Sequence, residues 1–210
     1  MDIAPGSTTV APGAAPGTSA ADGGAEATGT RDRLVEATLA CLRRTGDTRV
    51  SIAEISREAG ISRQTIYAQF TDRNELVNAA VEDASLALAR RLARATEGIE
   101  DPTEAIVEAA VQFCLAARRD PVIRMTVDMS MTPGLRQSGT ISAQTLQMAR
   151  GFIRPRLRDL PDASERLEEI TETVVRFLLS VISHTSALTE DEASLRAYLG
   201  RALGGAIDLR

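Results

Sequence analysis

With 210 residues, 43% of them apolar, the chain has room for one sizeable core or a small head on a larger body. Aromatic residues make up only 3% and Trp is missing, so a core of Leu, Ile, Val and Ala is expected, a mixture that favours helices over sheets. A net charge of -5 excludes binding of nucleic acid by bulk charge, which leaves local placement to decide; every basic residue other than the single His is Arg, whose planar fork suits phosphates and guanine edges.

Cys41 and Cys114 stand among apolar neighbours at helical spacing and read as core residues in a reducing compartment, neither a disulfide framework nor a metal site. The first residues carry no basic segment followed by an apolar run, and no apolar stretch approaches a membrane span. The expectation is therefore a soluble protein of the cytoplasm, associated with the nucleoid, with no membrane partner, metal or cofactor.

Residues 1–28 are Ala, Gly, Pro, Ser and Thr with almost no large apolar side chain, which predicts a disordered tail. A first helix is predicted over Arg31 to Thr45, with Leu34, Ala37, Thr38, Cys41 and Leu42 on one face and Gly46 as its stop. Ser51 and Glu54 form a capping box, with Val50 and Ile55 at staple spacing, opening a short helix that ends at Ala59-Gly60. Ser62 opens a third helix to about Gln69. Asp72 and Glu75 open a long fourth one to about Thr96, striped by Val77, Val81, Ala84, Leu88, Leu92 and Ala95. Asp101-Pro102 starts a fifth, interrupted at Asp120-Pro121. A short helix follows over Val122 to Met129, then one over Leu135 to Arg158 that Pro155 should kink or shorten. The last two run from Asp162 to about Leu188 and from a Thr189/Glu192 capping box to about Leu209. The predicted fold class is all-α, about nine helices: a head over 29–76 and a body over 77–210.

The second and third helices carry the functional argument. A helix-turn-helix needs a tight turn between steeply crossed helices, and Gly60 supplies it, with Ser56 small enough for close approach. Ile55, Ala59, Ile61 and Ile66 would face the first helix. Arg63, Gln64, Thr65, Tyr67 and Gln69 would be left on the free face, with Arg suited to guanine, Gln to adenine, and Thr and Tyr to phosphates.

The run Ile52-Ala53-Glu54-Ile55-Ser56-Arg57-Glu58-Ala59-Gly60-Ile61-Ser62-Arg63-Gln64-Thr65-Ile66-Tyr67-Ala68-Gln69-Phe70, followed by Asp72-Arg73-Asn74-Glu75-Leu76, resembles the TetR family of bacterial repressors. The resemblance covers Thr30 to Ala80 and departs from the family modestly, with Ser56 where Ala is commoner and Arg73 for a frequent Lys. It implies a three-helix DNA-binding head and a helical body that dimerises and usually binds a small effector. It implies that Arg63, Gln64 and Thr65 reach base edges or nearby backbone, and that Ser51, Tyr67, Gln69 and Arg73 hold phosphates. Ser62, at the same helix start, joins that DNA-binding set. From Thr30 to Asn78 eight Arg face seven acidic residues, so any basic character must come from placement.

Two heads are needed to read a palindromic operator in double-stranded DNA. Residues 174–182 are apolar nearly all round, as in a helix buried on two sides, and the last helix adds small Gly200, Gly204 and Gly205. These helices resemble the family's four-helix interface, which would place Leu178, Val181, His184, Leu195, Leu199 and Leu203 between the two subunits of a homodimer; internal core is the other reading. His184 is the single histidine, and no catalytic constellation is legible.

The effector pocket of this fold would fall among Phe113, Met125, Met129, Met131, Phe152 and Phe177, although Met and Phe at helical spacing also read as plain core. Its ligand would be apolar or amphipathic, with Arg118, Arg119, Arg124 and Arg136 the cations available to anchor an anionic group. The function expected is a sequence-specific transcriptional repressor released by a small effector. The alternative is a ligand-independent architectural DNA binder of the same fold.

Overall fold

In the computed structural model the described residues are 20–130, 141, 143–157 and 163–207. Among them are nine helices and no strand: α1 (Ala20–Thr45), α2 (Ile52–Ala59), α3 (Arg63–Gln69), α4 (Arg73–Ala95), α5 (Pro102–Arg119), α6 (Pro121–Ser130), α7 (Ala143–Leu157), α8 (Ala163–Ser183) and α9 (Glu192–Ala206).

The starts follow local chemistry. Ser51 accepts from the Glu54 amide while the Glu54 carboxylate accepts from the Ser51 amide, closing the capping box at α2. Ser62, Asp72 and Asp101 each accept an amide three residues on, at the starts of α3, α4 and α5. Asp120 joins α5 to α6: its amide closes the last turn of α5 and its carboxylate accepts from the Val122 amide.

Several boundaries differ from expectation, each for an identifiable reason. α1 begins at Ala20 rather than Arg31, so the expected tail is helical from there; residues 1–19 lie outside the described residues. Ala and Glu in 20–28 extend a helix already nucleated, despite Gly23 and Gly24. α7 starts at Ala143, and the stretch 131–140 of its expected start lies outside the described residues. Pro155 sits in its last turn and the helix stops two residues later. α8 ends at Ser183, short of Leu188, because Ser186 and Thr189 fold into a turn, the Ser186 amide donating to the Thr189 hydroxyl. With Thr189 buried in that turn, α9 is capped by Asp191, which accepts from the Ser194 amide.

In the head, α1 packs on α2, α3 and α4 around fully buried Leu34, Leu42, Ile55, Ile66 and Leu76. In the body, α5 is the central helix, touching α4, α6, α7, α8 and α9. Its Ala105, Ala109, Ala110, Ala116 and Ala117 are buried, and these short side chains let its neighbours approach.

That packing corrects part of the expected dimer surface. Leu195, Leu199 and Leu203 have no exposed area and pack within the protomer, where α9 lies on α5; Val181 is buried too. A side chain already withdrawn from water inside one chain has no area left to bury against another. His184 is exposed past the end of α8 and remains available to a partner, whereas Leu178 is half-buried and turned into the body.

The turn between α2 and α3 is set by two groups. Gly60 adopts φ 64°, the left-handed region, and its amide donates to the Ser56 carbonyl. The Ser56 hydroxyl donates to the Ile61 carbonyl at 2.6 Å, so this serine ties the turn as well as allowing close approach. A Cβ at Gly60 would meet nothing within 4 Å, so the cost of a side chain there is purely one of backbone. Gly60→Ala should therefore lower unfolding stability by about 1–2 kcal/mol in chemical denaturation, with the far-UV spectrum unchanged.

Candidate nucleic-acid interface and ligand cavity

α3 presents its polar face to solvent. Ile66 is fully buried against the head, whereas Arg63, Gln64, Tyr67 and Ala68 are exposed, Tyr67 by 57%. The exposed Tyr67 leaves its ring face and hydroxyl open to solvent on this seven-residue helix. The helix is held at both ends from within. The Ser62 hydroxyl caps its start and pairs with the Thr65 hydroxyl at 2.9 Å. At the other end the Arg31 guanidinium donates to the Gln69 carbonyl at 3.0 Å and lies over the Phe70 ring, 4.1 Å from its centre. Arg33 donates to the Ala59 carbonyl at the end of α2 in the same way. Two α1 cations thus neutralise the carbonyl ends of both motif helices.

Charge accounting in the head identifies the groups left for an anion. Arg44 pairs with Glu58 at 2.8 Å, Arg49 with Asp47 at 2.8 Å, and Arg43 reaches into the body to Asp120 at 2.9 Å. Arg73 donates to the Thr48 and Val50 carbonyls and to Asn74, clamping the start of α4 to the α1–α2 loop. This corrects the phosphate role expected of Arg73: most of that fork is turned inward. Of the eight Arg between Thr30 and Asn78, only Arg57 and Arg63 make neither a salt bridge nor an intramolecular hydrogen bond among the described residues. Both are exposed, one on each motif helix. Arg57 is absent from the residues picked out by sequence, since the motif pattern stresses α3; its place in the exposed last turn of α2 was the available signal.

Of the head's acidic residues, Glu54, Asp72 and Glu75 serve helix starts, and Asp47 and Glu58 are paired with arginines. Hydrogen bonds from the Ser51 amide and hydroxyl hold the Glu54 carboxyl below the usual glutamate range, and the Thr71 amide does the same for Glu75. Ser51 is exposed at the start of α2, its hydroxyl engaged with Glu54, and Gln69 is half-buried with its carbonyl taken by Arg31.

A second site lies in the body. A cavity of about 430 Å³, partly open to solvent, is lined by α4, α5, α6, α7 and α8. Val81, Ser85, Leu88 and Leu92 of α4 form one wall, Ile106 and Phe113 of α5 another. Ile123 and Val127 of α6, Met148 and Phe152 of α7, and Val174 and Leu178 of α8 complete it. Of the expected pocket residues, Phe113 and Phe152 line the cavity. Met125 is buried elsewhere in the core and Phe177 is half-buried outside the lining, because their turns of α6 and α8 point away from it. The side chain of Met129 and all of Met131 lie outside the described residues. Ser85 and the rest of the α4 wall went unrecognised because their stripe reads equally well as core.

The match to known proteins follows this geometry. Residues 34–80 match the model of the bacterial regulatory proteins of the tetR family. Over these residues the head is similar to that family. Over the longer chain, the resorcinol complex of RolR is similar with TM-score 0.59 and 18% identity, covering 89% of this chain and 95% of that one. A TetR-like transcriptional regulator from Rhodococcus sp. RHA1 is similar with TM-score 0.54 and 17% identity, covering 84% and 94%. CprB from S. coelicolor A3(2), a TetR-family protein, gives 0.52 and 18%, covering 88% and 98%. No curated protein matches the chain. The fold is thus that of TetR-family regulators along most of its length. No helix among the described residues is long and apolar enough to cross a membrane, and no cluster there of three or more His, Cys, Asp or Glu could hold a metal ion.

Two outcomes follow for the head. Arg57→Ala and Arg63→Ala should each weaken binding to duplex DNA, and a lost phosphate contact should flatten the salt dependence of log K by about 0.9. Fluorescence anisotropy across a salt series measures both. For acid, the sign follows from the lowered folded-state values of Glu54 and Glu75. Their contribution is full above the unfolded glutamate value of about 4.3 and is lost as pH falls through the lower folded value. Glu54→Gln with Glu75→Gln should therefore shrink the acid-induced fall in melting temperature, followed by circular dichroism.

Proposed function

We propose that this chain is a sequence-specific transcriptional repressor, binding a palindromic operator as a homodimer and released by a small effector in the body cavity. The observation that carries the DNA reading is the exposed face of α3, where Arg63, Gln64 and Tyr67 stand in solvent on a helix anchored from behind. Arg63 and Gln64 are suited to base edges, while Arg57, Thr65 and Tyr67 are suited to phosphates or the flanking backbone. Ser51 and Ser62 lie at exposed helix starts, where a phosphate can also settle.

For the dimer, the support is the outward face of α8 and α9. Phe177, Ser180 and His184 follow at helical spacing and are half-buried or exposed. Across from them, Ala197, Gly200 and Gly204 make a low surface on α9, and a Cβ at either glycine would meet nothing within 4 Å. The protomer itself has no need of glycine there; close approach of a second helix supplies one.

For release, the support is the shared wall. α4 runs from the head into the cavity lining, and α6, another wall, touches α1. The Arg43–Asp120 pair spans that same junction. An effector that favours a body shape with misplaced heads must weaken DNA binding by the same coupling energy. Resorcinol is the ligand of RolR; for this chain the argument rests on the cavity.

Selection from random duplex DNA tests this function. One enriched palindrome, bound by two chains, is the expected result. Recovery of no preferred sequence would favour an architectural DNA binder of the same fold.

A further inference from the structure

The chemistry of the cavity lining narrows what can occupy it. Among the described residues, no Arg, Asp, Glu or His lines it. The described candidate cations stand outside the lining, although Arg118 keeps two buried guanidinium nitrogens without a hydrogen-bond partner. Arg118 donates to the Glu190 carbonyl, Arg119 pairs with Glu192, and Arg124 donates to the Ile182 carbonyl and pairs with Asp128. Arg136 lies outside the described residues. Arg156 stacks 3.5 Å from the centre of the Phe152 ring, behind the lining, and donates to the Phe152 carbonyl and the Thr96 hydroxyl. An ionised ligand would lose its hydration in this cavity and find no opposite charge on the lining.

The polar side chains that do line it are Ser85, Thr126 and Thr145. A hydroxyl has one proton to give. That of Ser85 goes to the Val81 carbonyl at 2.8 Å, and that of Thr126 to the Ile123 carbonyl at 2.7 Å. What Ser85 offers the cavity is therefore an acceptor. A ligand group that only accepts, such as a ketone or ester oxygen, gains nothing from it, whereas a hydroxyl or N–H on the ligand does.

We propose that the cavity takes an uncharged, chiefly apolar molecule carrying a hydroxyl or N–H donor, seated with that donor on Ser85. The volume of about 430 Å³ falls within the usual range for small-molecule sites. Ser85 belongs to α4, little more than one turn beyond Ala80, so the polar contact bears on the helix that joins head and body. The proposal rests on the effector-responsive reading only in treating the cavity as a ligand site.

Three naphthyl probes of matched shape test it on the full chain without DNA at neutral pH: 2-naphthol, naphthalene and 2-naphthoate. The chain has no Trp, so naphthyl emission is read without an indole background. 2-Naphthol should bind most tightly, with 2-naphthoate at least about tenfold weaker. Ser85→Ala should weaken 2-naphthol roughly fivefold, toward naphthalene, and leave naphthalene itself unchanged. Ala149→Phe, which fills the cavity from α7, should abolish binding of all three. Naphthoate binding as tightly as naphthol, indifference of naphthol to Ser85→Ala, or binding of none of the probes would each overturn the proposal. Tight naphthol binding with no change in DNA affinity would instead count against effector release and leave the ligand class standing.

Discussion

Leu76, Val77 and Ala80 bury the first turns of α4 in the head, while Val81, Ser85, Leu88 and Leu92 carry the same helix along the wall of the cavity. One helix therefore packs in the head and walls the cavity within a single continuous core, so repacking at either end bears on it. Close-packed interiors shift between arrangements rather than deform smoothly. Under the proposed function, this shared helix is the route from the body cavity to α3, which the cavity does not touch. The Arg73 clamp onto Thr48 and Val50 adds to it, since the start of α4 carries the α1–α2 loop with it.

The head solves an electrostatic problem with ordinary means. Its charges nearly cancel in number, but most of the acids are taken up in caps and pairs, and most of the arginines hold carbonyls or carboxylates. What reaches solvent on the two motif helices is cationic, at Arg57 and Arg63. Net charge was a poor guide because the field at a surface depends on which charges are already paired.

The head was legible in the sequence because its signals are local: a capping box at Ser51 and Glu54, a glycine at a left-handed position, and alternating buried and free positions along α3. The body was less legible. Leu195, Leu199 and Leu203 have the pattern of an interface and the pattern of a core alike, and only the position of α5 decides for core. Met125 and Phe177 likewise sit at core spacing, but a cavity is defined by where several helices fail to meet, which no single helix encodes. Arg73 illustrates a third limit, since its partners, Thr48 and Val50, lie across the fold on a loop.

The most direct measurement of the shared-helix account is the distance between the two heads of the proposed dimer, read by pulsed electron spin resonance. Glu36 is exposed on α1, so Glu36→Cys places one label per head. Both native thiols are buried, and burial pushes that of Cys114 up to about 12, which keeps labelling selective. The account predicts one narrow distance on operator DNA and a displaced distribution once 2-naphthol fills the cavity. An unchanged distribution with the cavity demonstrably occupied would contradict it.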